Sequence, residues 1–231
     1  MKTIGMIGGM SYESTTSYYQ IINETINSKL GGLHSAKIIM YSVDFDEIER
    51  YQRNNDWDKV ASIILEVALK LENVGADFII ICTNTIHKIV PIIKDKINIP
   101  ILHIAQATVN KLKENKITKV ALLGTKYTMQ ENFYKDVIIN SNIDVVVPNN
   151  DDIEIINDII FNELCLGITT LESKDIFINI INKLKNQGVQ GVILGCTEIG
   201  HLIKQEDLDI IVFDTTYIHG YTAAMMAIED K

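Results

Sequence analysis

Gly75-Ala76-Asp77-Phe78-Ile79-Ile80-Ile81-Cys82-Thr83-Asn84-Thr85-Ile86 returns in the second half of the chain as Gly188-Val189-Gln190-Gly191-Val192-Ile193-Leu194-Gly195-Cys196-Thr197-Glu198-Ile199. Each copy is a short apolar run that ends in small polar residues, and Thr83 stands opposite Cys196, 113 positions further on. The start of the chain repeats too: Ile7-Gly8-Gly9 recurs as Leu123-Gly124-Thr125 at an offset of 116. Both offsets are close to half of 231 residues. The spacing predicts two related halves, each ending a buried strand in a polar cluster, so that one site is approached from two opposing sides.

Working outward, short β-branched runs bounded by Gly, Pro or charge predict strands at 3–7, 37–43, 78–82, 100–104, 119–123, 143–147, 192–195 and 210–213, four in each half. Helical patterns separate them. Trp57, Val60, Ala61, Ile64, Val67, Ala68 and Leu71 form one apolar stripe, and Ile176, Ile180, Ile181 and Leu184 form another. Strands alternating with helices of this length require crossover connections and parallel sheets. Near-continuous apolar strands such as Phe78-Ile79-Ile80-Ile81 suit sheets covered on both faces. The expectation is an α/β fold of two pseudo-symmetric lobes, each a mainly four-stranded parallel sheet flanked by helices. The first lobe comprises 1–106 plus 214–231 and the second 107–213. The last segment is helical by pattern (Tyr221, Met225, Met226, Ile228) and is expected to pack back on the first lobe. In open α/β sheets, ligands bind beyond the carboxyl ends of the strands. Here those ends carry Gly8-Gly9-Met10-Ser11, Thr83-Asn84-Thr85, Gly124-Thr125 and Cys196-Thr197-Glu198.

A hydrophobic content of 47% fits a packed core, and three prolines mark no linker. The net charge of −9 argues against a nucleic-acid partner, because no basic stripe is available to neutralise phosphates. It does not exclude a small anion, which a local nest of backbone N–H groups can hold. Three cysteines without C-x-x-C spacing argue against a disulfide framework or zinc site. No window reaches the ~18 apolar residues of a membrane span, and a soluble cytoplasmic protein is expected.

Gly5-x-x-Gly8-Gly9 after a strand is not G-x-G-x-x-G, and no convincing acidic residue ends the second strand to grip a ribose. A tight turn exposing backbone N–H groups to a carboxylate fits better than a dinucleotide site. Cys196 is either a small buried hydrophobe or a thiol activated at a helix N-terminus, where the dipole lowers its pKa from ~8.5. Its place in the repeat favours the second reading. Cys82 faces the other side of its strand and reads as core, while Cys165 near a helix end is ambiguous. His87 is a proton donor or a residue that caps its turn. His34, His103, His201 and His219 read as structural. Asp44, Asp46, Glu47 and Glu49 read as a solvated acidic run, not a glycosidase pair.

At Ile4-Gly5-Met6-Ile7-Gly8-Gly9-Met10-Ser11, Ser42-Val43-Asp44-Phe45 with Glu47-Ile48-Glu49, Asn84-Thr85-Ile86-His87 and Gly195-Cys196-Thr197-Glu198-Ile199, the chain resembles the cofactor-independent aspartate/glutamate racemases. The resemblance spans essentially the whole length. It implies two α/β lobes with the active site in the cleft between them, no pyridoxal phosphate or metal, a small acidic amino acid as substrate, and a homodimer. Chemistry in such racemases uses two cysteines on opposite faces of the substrate α-carbon. One thiolate removes the proton while the other thiol delivers one from behind, and amides and hydroxyls hold the developing enediolate.

The chain departs from that pattern at one position: the first cysteine falls on Thr83 and the second on Cys196. A threonine hydroxyl does not ionise near neutral pH, so it is no comparable base. The expectation is an asymmetric enzyme in which Cys196 abstracts the proton of the L-enantiomer and Thr83 is a weak partner. By motif position the resemblance puts substrate contacts on Met10, Gln52, Asn84, Thr85, Thr125, Thr197 and Glu198. A lysine that holds the substrate side chain in some aspartate racemases falls on Cys165, which leaves glutamate or a broader acidic range open. Arg50 is a candidate for the missing positive charge. The competing readings are a one-cysteine decarboxylase or isomerase of the same superfamily, a non-catalytic acidic-ligand-binding protein, and, more distantly, a dinucleotide oxidoreductase.

Overall fold

Thr3-Ile4-Gly5-Met6-Ile7-Gly8 has apolar or small residues pointing both ways, which suits a strand covered on both faces, and it forms the centre of the first sheet. The structure, a computed structural model, describes residues 1–229. The chain divides into two units, one of Met1–Ile104 with the chain from His219 onward, the other Ala105–Ile218.

The first unit runs β1 (Thr3–Gly8), α1 (Tyr12–Leu30), β2 (Lys37–Ser42), α2 (Phe45–Arg53), α3 (Trp57–Asn73), β3 (Phe78–Ile81) and the short α4 (Val90–Ile93). Among the described residues its sheet has three parallel strands in the order β2-β1-β3. The fourth expected strand, 100–104, is reduced to one parallel bridge between Ile79 and Ile101. Pro100 has no N–H to extend the ladder, and His219 Nε2 takes the Leu102 carbonyl at 2.8 Å. The chain then turns into α5 (Ile104–Glu114).

All seven apolar positions of the α3 stripe are buried, as their spacing predicted. Asp56 caps this helix by accepting the Lys59 N–H at 3.1 Å. Burying each large aliphatic side chain contributes on the order of 1.5–3 kcal/mol, so the stripe and not the exposed Glu66–Lys70 ion pair seats the helix.

The second unit continues through β4 (Lys119–Gly124), α6 (Lys126–Gln130), α7 (Asn132–Ile139), β5 (Asp144–Val146), α8 (Asn150–Asn162), α9 (Leu171–Lys185), β6 (Gly191–Gly195), α10 (Ile199–Leu202) and β7 (Ile211–Asp214). Its sheet has four parallel strands in the order β5-β4-β6-β7. The helix α11 (Thr215–Ile228) closes the described chain. It is helical as its pattern predicted; Gly220, Ala223, Ala224 and Ala227 are buried, while Tyr221, Met225, Met226 and Ile228 are half-buried, with Met226 and Ile228 packed against the core of the first unit. Small residues let this helix approach α1 closely: a Cβ on Gly220 would lie 3.0 Å from Ile21 Cγ2.

Candidate active site

In the first unit, β1 and β3 run parallel with Ile7 level with Ile81, so Gly8-Gly9-Met10 and Cys82-Thr83-Asn84 leave the same end of the sheet. Gly9 has φ +92° and its N–H donates to Thr15 Oγ1 at 2.8 Å. A Cβ there would lie 2.2 Å from the Val43 carbonyl, so only glycine fits the turn. Met10 is buried at that turn, and Gln52 is buried on α2. Cys82 points into the core with Ile4, Met6, Tyr18 and Phe78, and burial pushes its thiol far up. Thr83 is half-buried beyond the strand end, followed by buried Asn84 and Thr85 in a 3₁₀ turn, Thr85–Ile89.

His87 holds this turn from behind. Its Nδ1 donates to the Thr83 carbonyl at 2.8 Å, and its Nε2 accepts the Ile104 N–H at 3.2 Å. Both partners require a neutral ring with the proton on Nδ1. Burial, with His103 and His219 nearby, holds its pKa well below the usual value. His87 thus supports the Thr83 turn and is not poised as an acid.

In the second unit, Gly124 pairs with Gly195, which puts Thr125 and Cys196 side by side at the carboxyl ends of β4 and β6. Both glycines are required by this proximity, since a Cβ on Gly124 would lie 2.8 Å from the Gly195 oxygen. Thr125 caps α6, its Oγ1 accepting the Thr128 N–H at 3.4 Å. Cys196 is buried, and its Sγ donates to Glu198 Oε2 at 3.0 Å. Thr197 Oγ1 donates to the same oxygen at 2.6 Å. Cys165, in the 3₁₀ turn Leu164–Leu166, packs against the same core cluster as Cys196.

The thiol itself differs from expectation. A helix-start dipole was expected to lower its pKa, yet burial raises it well above the ordinary value and the Glu198 carboxylate raises it further. The helix that follows, α10, is four residues long and begins three positions on, so it offers little dipole. One Glu198 backbone amide works the other way and is outweighed. Burial with Glu198 nearby also pushes the Cys165 thiol up. Cys196 is therefore held as a neutral thiol whose Sγ donates a hydrogen bond to the Glu198 carboxylate, a contact that its motif position alone did not suggest. A carboxylate two residues after a strand-end cysteine was the available signal.

The structure thus groups Met10, Thr83, Asn84 and Thr85 at one end of the first sheet, and Thr125, Cys196, Thr197 and Glu198 at the corresponding end of the second. Gln52, on α2, belongs to the first unit, and Cys165 belongs to the second. Arg50 is exposed on α2, with its guanidinium 5.4 Å from the Tyr51 ring centroid. No cluster of three or more His, Cys, Asp or Glu suited to a metal occurs among the described residues. No helix among them is long and apolar enough to cross a membrane.

Residues 7–226 match the family described as Asp/Glu/Hydantoin racemase. The fold is similar to a Yersinia pestis crystal structure with a provisional Asp/Glu racemase assignment, at 48% identity and TM-score 0.92 over 99% of this chain and 100% of that one. It is also similar to an aspartate racemase homologue from Pyrococcus horikoshii OT3, at 36% identity and TM-score 0.86 over 98% and 99%. A broad specificity amino-acid racemase of Bacillus subtilis (strain 168) is 26% identical over 151 residues, 62% of this chain and 63% of that protein's length.

Proposed function

Because the chain belongs to the Asp/Glu/hydantoin racemase family, we propose that it inverts the α-carbon of aspartate or glutamate by proton transfer without a cofactor, with unequal groups on the two faces. Cys196 is the principal base, acting on the L-enantiomer, and Thr83 is the weak partner. The observation that carries this reading is the buried thiol–carboxylate pair, Cys196 Sγ to Glu198 Oε2 at 3.0 Å, at the carboxyl end of β6.

Burial opposes a second negative charge beside Glu198, but it does not oppose moving a proton within the pair. The Sγ proton passes to Oε2, leaving a thiolate and a neutral carboxylic acid with the net charge unchanged. The thiolate takes the Cα proton, and the C–H electron pair moves into the substrate carboxylate as enediolate charge. Hydroxyls and amides of Asn84, Thr85, Thr125 and Thr197 stabilise that charge. On the other face the Thr83 hydroxyl, or a water it orients, returns a proton to Cα and is reprotonated from solvent. Glu198 releases its extra proton to solvent, closing the cycle. Met10 and Gln52 are further substrate contacts in this reading, and Cys165 in place of a lysine relaxes selection between aspartate and glutamate. The functional unit in this reading is a cytoplasmic homodimer, whose mass light scattering reads directly.

The test is incubation with each enantiomer of Asp and Glu in deuterated water. Uptake of deuterium at Cα from the L-enantiomers, faster than from the D-enantiomers and absent in Cys196→Ser, is expected. Equal rates from both enantiomers would remove the asymmetry. Saturable binding with no exchange would leave a non-catalytic binding protein. A single thiol opposite Thr83 also suits a one-cysteine decarboxylase or isomerase, for which release of CO2 or of a rearranged product is the mark.

A further inference from the structure

The second unit contains a cavity that none of this chemistry uses. It encloses about 350 Å³ beside β7, the edge strand of the sheet, which is the size of a small-ligand pocket. Its lining includes the apolar Ile203, Val212 and Phe213, the last two on the edge strand itself, and the charged Lys111, Lys204 and Asp214.

A strand of another protein does not fit here, because the edge is already closed. Gln205 Oε1 accepts the Val212 N–H at 2.9 Å, and its Nε2 donates to the Ile210 carbonyl at 3.0 Å. This side chain occupies the groups that an added strand would use. The charges are mixed: two ammonium groups and one carboxylate line it together with the apolar side chains. Asp214 Oδ1 accepts the N–H groups of Thr216 at 2.8 Å and Tyr217 at 3.2 Å, at the start of α11. Those two bonds leave Oδ2 for another donor. Lys111 is engaged with Glu114 in an exposed ion pair, the kind a bound carboxylate displaces at little cost.

We propose that this cavity binds an α-amino acid with an apolar side chain, as its zwitterion. Its carboxylate is held by Lys111 and Lys204, its ammonium by Asp214, and its side chain lies on Ile203, Val212 and Phe213. The ligand class differs from that of the catalytic site, where the substrate side chain is acidic.

The cavity wall connects directly to the backbone around Cys196. Gly200 packs on Asp214, and a Cβ there would lie 2.5 Å from Oδ2. Lys204 Nζ donates to the Gly200 carbonyl. Thr215 Oγ1 donates to the Leu194 carbonyl at 2.7 Å, and Thr216 Oγ1 to the Thr197 carbonyl at 3.5 Å. A ligand that pulls on Lys204 and Asp214 therefore acts on the turn bearing Thr197 and Glu198, and its occupancy regulates proton transfer at Cys196. That regulatory part rests on the racemase reading; the binding part does not.

Isothermal titration of the full chain tests it, with L-leucine and L-phenylalanine as probes. Expected is one saturable site per chain, with at least tenfold weaker binding of 4-methylpentanoate, which lacks the ammonium, and of 3-methylbutylamine, which lacks the carboxylate. Lys111→Met, an exposed change that leaves the core untouched, weakens leucine at least threefold. Asp214→Asn, which keeps a helix-capping side chain, weakens it at least tenfold. Binding persists in Cys196→Ser and in the presence of saturating L-glutamate, and leucine changes kcat of Cα exchange without acting as a competitive inhibitor. Absence of saturable heat in the millimolar range overturns the proposal, as does displacement of leucine by L-glutamate or equal affinity in both variants. Binding without an effect on kcat overturns the regulatory part. If no substrate exchanges at all, the racemase reading fails while the titration still decides the site.

Discussion

At the residue scale the decisive pair is Cys196 and Glu198. The repeat located Cys196 opposite Thr83, but its protonation was not legible, because that depends on a side chain folding back onto the sulfur. Burial and the Glu198 carboxylate both raise the thiol pKa, so removing the carboxylate lowers it. In Glu198→Gln the pH midpoint for alkylation of Cys196 by iodoacetamide is expected to fall, while Cα exchange slows by roughly 10²-fold. A thiol that becomes easier to ionise in a slower enzyme separates the role of proton acceptor from simple activation. An unchanged alkylation midpoint would remove Glu198 from that role. In the proposed two-face reading, Thr83→Cys supplies an ionisable group where the hydroxyl is not one. It is expected to raise deuterium uptake from D-glutamate by about tenfold or more, and no gain would count against the assignment of faces.

At the scale of elements, periodicity was readable wherever neighbours in sequence set the environment. The α3 stripe is buried at every predicted position because one helix face meets one sheet. Strand 100–104 was misread, and the small-residue face of α11 was not foreseen, for a common reason: their partners lie far away in sequence. The Leu102 carbonyl is taken by His219, 117 residues on, and α11 presents its alanines because α1 lies close against it. The turn from β1 to α1 was legible as a tight glycine turn, and its geometry sets a sharp expectation. Gly9→Ala places a Cβ at positive φ and 2.2 Å from the Val43 carbonyl, which must move backbone. The cost is roughly 3 kcal/mol, a fall in Tm of roughly 6–12 °C, with loss of Cα exchange as Met10 shifts. Gly31→Ala, also at positive φ but with nothing within 4 Å, isolates the conformational part and costs about 1 kcal/mol. Equal melting of the two variants would mean that the Val43 contact does not limit the turn.

At the scale of the molecule, the α/β class was legible because the repeated strand-and-helix pattern admits few topologies, whereas a group of three histidines was not. His219 Nε2 donates to the Leu102 carbonyl, so its Nδ1 accepts from Tyr18 at 2.9 Å, and the ring is neutral. His87 packs 4.7 Å from His103 and 5.7 Å from His219, centroid to centroid. Burial depresses His103 and His219 from 6.5 to about 4, and holds His87 well below its ordinary value. Above pH 6.5 these rings are neutral in the folded and unfolded chain alike and give no pH dependence. Between 6.5 and about 4 the unfolded chain binds protons that the folded chain refuses, so stability falls as pH falls. At pH 5 the loss is on the order of 2 kcal/mol each for His103 and His219. Asp214, whose carboxyl is raised by burial, works in the opposite direction, since the folded chain binds its proton more readily than the unfolded one. Urea midpoints at pH 7 and pH 5 are therefore expected to differ substantially at constant m. His103→Gln, which removes one half-buried ring, is expected to recover about 2 kcal/mol of that difference. A midpoint independent of pH across this range would show that the three rings are protonated in the folded protein, and the tautomers fixed by Leu102 and Thr83 would then be wrong.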